Sequence, residues 1–227
     1  MTEISVIVPV HNGESFVERC WQSIASQTRP PCELLFVDDG STDGTLAAIE
    51  RLPYAPFHVK VLSQPRRGPA AARNLGVRTA RGTLVAFLDI DDRWSSCALA
   101  LAERSLRDHP SAMAVQGLVQ IEYAPSTRAT DPRLLEPHRR VNLGSYVFRR
   151  EVFDLVGMLD SQLTFAEDLD FIGRLRHHGV VVHLVDEVVL HYLRHSQSLT
   201  RGRDARDLGM FAAAHNALKR KRGAGFQ

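Results

Sequence analysis

Leu84-Val85-Ala86-Phe87-Leu88-Asp89-Ile90-Asp91-Asp92 is where the architecture of this chain first becomes readable. The run Leu84 to Leu88 is short and wholly apolar, the mark of a strand buried on both faces in a parallel sheet covered by helices. It runs straight into carboxylates, and the carboxyl edge of such a sheet is where ligands bind. Working outward, Arg81-Gly82 closes a helix that Gly68-Pro69 opens, with proline suited to its first turn. Val59-Lys60-Val61-Leu62 is the strand before it. Thr45 to Arg51 is a helix behind the capped turn Gly40-Ser41-Thr42-Asp43-Gly44. Glu33 to Val37 is a strand ending in Asp38 and Asp39. Glu14 to Ser26 is a helix, with Phe16, Val17, Cys20 and Ile24 at helical spacing, stopped by Thr28-Arg29-Pro30-Pro31. Ile4 to Val8 is the first strand and breaks at Pro9. The order β-α-β-α-β-α-β predicts an α/β chain with a Rossmann-like, mostly parallel sheet flanked by helices. Pro9 to Glu14, Asp38-Asp39 and Asp89 to Asp92 then meet on one edge.

Downstream the pattern loosens. Ala114 to Ile121 reads as a strand, and Ala124 to Arg140, with Pro125, Pro132 and Pro137, as a polar loop. Val141 to Phe148 reads as a strand broken at Gly144. Asp168 to His178 is helical, with Leu169, Ile172 and Leu175 on its apolar stripe and Gly179 at its end. Val180 to Leu184 is a strand. From Leu199 the chain is polar, then helical up to the basic run Lys219-Arg220-Lys221-Arg222.

The 227 residues suit a single domain with a sizeable core. A formal net charge of +2 gives no reason to expect a nucleic-acid partner. No apolar run is long enough to span a bilayer, and Met1-Thr2-Glu3-Ile4 lacks the basic start of a secretory signal. Cys20, Cys32 and Cys97 are odd in number and show no CxxC spacing, so they read as reduced thiols in or near the core. The expectation is a cytoplasmic protein. Lys219 to Arg222 is either a solvated end or a peripheral contact with an anionic membrane or an acidic partner.

Asp89-Ile90-Asp91 carries the chemistry. Two carboxylates repel a nucleotide diphosphate unless a cation sits between them, and hard oxygen ligands suit Mg²⁺ or Mn²⁺. Such a cation stabilises charge on a leaving diphosphate. Rival readings fail on spacing. Pro9-Val10-His11-Asn12-Gly13-Glu14 lacks the G-x-G-x-x-G of a dinucleotide site, no P-loop is present, and no Glu follows His191 to make a zinc-protease helix with His195. A nucleotidyltransferase would show a glycine-rich basic loop near its start.

The chain resembles the family-2 inverting glycosyltransferases of GT-A fold. The matching pieces are Ser5 to Asn12, Val37 to Thr45, Gly68 to Gly76, Phe87 to Asp92, and Glu167-Asp168, in the family's order. The resemblance implies transfer of a sugar from a nucleotide-diphosphate sugar to an acceptor hydroxyl. The acceptor classes it allows are a glycan, a lipid-linked sugar, a peptide or a small molecule. By resemblance Pro9, Val10, His11, Asn12 and Glu14 hold base and ribose, although His11 stands where the family often has tyrosine. Asp39 accepts a hydrogen bond from the base, which favours UDP. Arg73 lies beside the nucleotide, Asp89 near the ribose, and Asp91 binds Mn²⁺ or Mg²⁺. His195, in Tyr192 to Thr200, is a second contact to metal or diphosphate, with a surface-loop histidine as the plain alternative. Gly144, Ser145 and Glu167 shape the acceptor side, and Asp168 is the general base. Residues 1–110 then form the nucleotide-sugar half, 111–200 the acceptor and catalytic half, and 201–227 a C-terminal helix and basic tail. The rival from another class is a catalytically silent nucleotide-sugar-binding module. At a helix N-terminus Asp168 is expected to stay ionised, a weak base with late proton transfer.

Overall fold

In the computed structural model, which describes residues 2–125, 127, 135–163 and 165–196, β1 (Ile4–Val10) is buried along its whole length. Its side chains divide by parity. Ile4, Val6 and Val8 join one hydrophobic cluster and Ile7 the other, as the two-residue repeat of a strand dictates. The clusters underlie two helical layers. On one face lie α1 (Val17–Ala25), α2 (Thr45–Glu50) and α4 (Ala98–Asp108). On the other lie α3 (Pro69–Thr79), α5 (Glu151–Val156) and α6 (Glu167–His177).

The remaining strands are β2 (Glu33–Asp39), β3 (His58–Gln64), β4 (Leu84–Phe87), β5 (Arg93–Trp94), β6 (Ala114–Tyr123), β7 (Tyr146–Arg149) and β8 (Val182–Arg194). They form one sheet of order β3-β2-β1-β4-β7-β6-β8-β5. The first four are mutually parallel. β7 runs antiparallel to β4 and β6, β8 is parallel to β6, and β5 is antiparallel to β8. The mixed sheet crosses both halves of the chain without a break, so the described residues make one domain.

Several boundaries differ from expectation. β1 does not break at Pro9 but continues to Val10. The carbonyls of Glu3 and Ile7 face β4, so Pro9 faces that side too, two residues past the last β1–β4 pair, Ile7–Phe87. Its missing N–H therefore costs no ladder bond. The strand expected over Val141 to Phe148 is a 3₁₀ turn, Leu143–Ser145, followed by β7. β8 reaches ten residues beyond Leu184, because Asp186 and Glu187 interrupt its apolar pattern on an exposed face. Cys20 is buried, whereas Cys97 is exposed rather than packed in the core. Of the loop at 124–140, residues 126 and 128–134 lie outside the described residues, as do Leu199 onward and the basic run. Among the described residues no helix is long and apolar enough to cross a membrane.

Two packing features position the site. A Cβ at Gly76 would lie 2.4 Å from Ile7 Cγ2, so only glycine lets α3 sit this close to β1. Phe87, Phe148, Phe153 and Phe171 meet with ring centroids 5.4–6.2 Å apart. This aromatic cluster docks α6 beneath β4, just before the chain reaches Asp89.

Candidate active site

The carboxyl ends of β1, β2 and β4 border a cavity of about 1150 Å³. That is slightly above the usual range for small-molecule sites, roughly 300–1,000 Å³. Pro9 to Gly13, Asp39, Arg73, Asp89, Asp91, Glu167, Asp168 and His195 all line it.

On one side the loop after β1 is locked to the turn after β2. Asn12, at φ 52°, accepts from the Thr42 N–H at 2.8 Å, and its own N–H donates to Ser41 Oγ at 3.0 Å. Glu14 accepts from the Gly44 N–H at 3.1 Å and is absent from the cavity wall. It therefore joins the loops instead of lining the nucleotide side. His11 Nδ1–H donates to the Asp39 carbonyl at 2.9 Å, which fixes the imidazole on the wall. Asp39 Oδ1 accepts from Gln64 Nε2 and the Arg67 N–H, both at 2.7 Å, and Oδ2 from the Gly68 N–H at 2.8 Å. Gly68 has φ 91°, a backbone setting that glycine adopts without strain. One lone pair of Asp39 remains, on Oδ2.

The β4 edge gathers charge. Arg73 is buried, donating from Nη2 to Asp89 Oδ1 at 2.5 Å and from Nη1 to Glu167 Oε1 at 2.7 Å. It lines the cavity as expected, but its guanidinium is committed to two carboxylates. Asp91 Oδ2 lies 2.9 Å from His195 Nε2, and Phe16 packs on the His195 ring at 4.8 Å. Burial and then the charge of Asp89 push the Asp91 carboxyl up, against the pull of His195. Asp92 accepts from the Leu193 N–H at 2.9 Å, which ties the end of β8 to this edge two residues before His195. Its Oδ2 has no partner, and burial with Asp91 and Asp89 pushes its carboxyl well up. Among the described residues no three His, Cys, Asp or Glu side chains form a metal cage. Asp91 and His195 offer one oxygen and one nitrogen donor, which suits a cation completed by phosphate oxygens and water.

Asp168 sits in the first turn of α6, behind Ala166, which holds a left-handed φ of 62°. Its Oδ1 accepts from the Leu169 N–H at 2.7 Å. Burial, and next the neighbouring Glu167 charge, push its carboxyl up to about 6, against the Leu169 N–H and Arg73. The expectation of a low proton affinity is thus reversed: desolvation outweighs the helix field, and Asp168 is a stronger base than the sequence suggests. Leu169 also differs from expectation, lining the cavity while Phe171, Ile172 and Leu175 form the buried stripe.

Gly144 and Ser145 stand behind the wall. The Gly144 carbonyl accepts from Trp94 Nε1 at 2.7 Å, and Ser145 Oγ–H donates to the Asn142 carbonyl at 2.8 Å. Asn142 and Leu143 line the cavity in their place. Sequence reasoning also missed Phe16, Arg66, Arg67 and Arg140 on the wall. Arg66-Arg67 directly precede the legible Gly68-Pro69. Arg140, whose guanidinium lies 5.3 Å from the Tyr192 ring centroid, had no local signal in its polar segment.

A family model described as Glycosyl transferase family 2 matches residues 5–161. An uncharacterized glycosyltransferase, EpsJ of Bacillus subtilis (strain 168), is 28% identical over 218 residues, 87% of this chain and 62% of that protein. S. aureus TarS 1–349 in complex with UDP superposes with a TM-score of 0.74 at 21% identity, over 96% of this chain and 65% of that one. The mannosyltransferase PcManGT from Pyrobaculum calidifontis, in complex with GDP-Man and Mn²⁺, gives a TM-score of 0.74 at 24% identity, over 96% and 64%. The fold is that of GT-A glycosyltransferases. The chain spans under two thirds of the length of each of these three proteins.

Proposed function

The chain belongs to glycosyl transferase family 2, and on that premise we propose that it transfers a sugar from a nucleotide-diphosphate sugar to an acceptor hydroxyl, with inversion. The observation that carries this reading is the shared cavity. The loop after β1, the Asp91–His195 pair and Asp168 all open into it. Arg73 bridges Asp89 and Glu167, whose near neighbours in sequence are Asp91 and Asp168. The leaving-group side and the base side therefore flank a single guanidinium.

The loop from Pro9 to Asn12 and the wall at Asp39 hold the nucleotide. The free lone pair of Asp39 Oδ2 accepts the imide N–H that uracil and thymine both carry, so a UDP- or dTDP-sugar is the favoured donor, with UDP ahead. Asp91 and His195 hold Mn²⁺ or Mg²⁺, which when bound offsets charge on the departing diphosphate. Asp168 takes the acceptor proton. A carboxylate near 6 is mostly ionised at neutral pH yet basic enough to receive a proton as the new C–O bond forms. Asn142 and Leu143, with Glu167, border the acceptor.

The test is a donor screen. UDP-, GDP- and dTDP-sugars are titrated with Mn²⁺ present, following calorimetric binding and nucleotide release. UDP should bind most tightly and its sugar should turn over. Tighter binding of GDP than of UDP overturns the uracil preference. Binding with neither transfer nor hydrolysis, across an acceptor panel, leaves a silent binding module.

A further inference from the structure

Arg73 is placed by three independent anchors. Gly76, three residues on, presses α3 onto Ile7 of β1. The Asn74 side chain clamps the chain leading to α6, donating to the Leu159 carbonyl at 2.8 Å and accepting from the Leu159 N–H at 3.0 Å. Arg73 itself reaches the first residue of α6 at Glu167 and the β4 edge at Asp89. Two successive side chains of one rigid helix thus fix both ends of the segment that delivers Asp168. Burial opposes the charge on Arg73, but Asp89 and Glu167 outweigh it. Its Nε has no partner, a cost that an apolar side chain of equal volume avoids.

We infer that Arg73 is a positioning residue that braces the base-bearing turn of α6 against the carboxylate edge of the sheet, and through its charge sets when Asp168 accepts a proton. The inference rests on the reading of Asp168 as the base. Among the described residues, the titratable groups acting on Asp168 include Glu167 on its own helix, Arg73 from α3 and Asp89 from the β4 edge, and Asp168 acts with Arg176 and Arg139 on Tyr146 of β7. Glu167 and Asp89 favour the protonated acid, and Arg73 favours the carboxylate. Removing Arg73 therefore raises the proton affinity of Asp168. Removing the charge of Glu167 lowers it, directly and by leaving Arg73 less compensated.

The experiment follows the ¹³C carboxyl titration of Asp168, assigned by its loss in Asp168→Asn, beside the pH profile of kcat/KM. In Arg73→Gln the titration and the acidic limb should move up together by about one pH unit. In Glu167→Gln both should move down, and in the double variant both should return towards the parent. Arg73→Lys should keep the midpoint but lose kcat, because an ammonium cannot bridge two carboxylates as a planar fork does. An unmoved Asp168 titration in folded Arg73→Gln overturns the inference. If Arg73→Gln does not fold, Arg73→Lys decides: kcat unchanged from the parent in that variant overturns the brace. If Asp168→Asn retains full turnover while the titration shifts persist, the brace stands and the base assignment falls.

Discussion

Glu33 and Asp168 stand near opposite ends of the same sheet, and their proton affinities move in opposite directions. Burial pushes both carboxyls up. At Glu33 the push is overcome: Ser5 Oγ–H and the Arg81 N–H each donate to Oε1 at 2.6 Å, and Arg81 Nε donates to Oε2 at 3.2 Å, leaving the group below its ordinary range. The only hydrogen bond to Asp168 among the described residues comes from its neighbour Leu169, and the carboxyl stays high. Asp91 and Asp92 behave like Asp168. Partners and neighbouring charges therefore work with burial to set the sign: Ser5 and Arg81 offset it at Glu33, whereas the Glu167 and Asp89 charges add to it at Asp168. The end of the sheet that only has to hold together saturates its carboxylate. At the cavity end the carboxylates differ: Asp39 is held by three donors and Asp89 and Glu167 by Arg73, whereas Asp168 keeps one donor, its neighbour's N–H, as suits a group that meets a ligand.

The hardest blow to this contrast is metal removal. With EDTA, transfer should fall to background and return on adding Mn²⁺ or Mg²⁺. Asp91→Ala should reproduce the loss with little change in Tm. Full activity after exhaustive chelation would empty the Asp91–His195 pair of its assigned role.

Next in size is Asp168→Asn, which should keep donor binding and lose roughly 10²–10⁴ in kcat. It should also separate function from stability. The folded carboxyl titrates near 6, above an unfolded value of about 3.9. The folded state therefore holds this proton more tightly, and that contribution is lost as pH rises between those two values. The neutral Asn variant should consequently be more stable than the parent at pH 8, by up to about 3 kcal/mol, and gain little at pH 4. Urea unfolding at the two pH values checks it. Equal stability at both would mean that Asp168 is not held high.

The smallest effect belongs to the saturated end. Glu33→Gln should leave kcat unchanged and cost about 1–2 kcal/mol at neutral pH. The sign of its pH dependence is the reverse of that at Asp168. A folded carboxyl held below its unfolded value contributes stability above the unfolded value, and loses it on acidification through the folded one. The gap between parent and Glu33→Gln in urea should therefore close on acidification. A gap that stays constant would place the cost in packing.

What could be read from the chain alone were features whose cause lies within a few residues. The runs Ile4 to Val8, Leu34 to Val37 and Leu84 to Phe87 lie in strands whose side chains are all buried. Gly68-Pro69 opens α3 where glycine meets a positive φ. The length of β8 is not legible in the sequence, because Asp186-Glu187 face solvent in mid-strand and break its apolar pattern. The amphipathic α4 carries Leu99, Ala102 and Leu106 on its buried face, a periodicity that is local to the sequence. The family resemblance implies an acceptor-side role for Gly144 and Ser145, and only the turn around Asn142 shows that their polar groups are engaged within the protein.

The sequence by itself determined the family, the layered α/β order and the edge on which the carboxylates collect, since apolar periodicity, turn residues and motif spacing are local properties. The tertiary structure alone decided how those carboxylates behave. Arg73 meets Glu167 across 94 positions and His195 meets Asp91 across 104. Desolvation of Asp168 depends on the aromatic packing that seats α6 under β4. Proton affinity is set by the charges and donors within a few ångströms of a buried group, and separation along the chain carries no record of that distance.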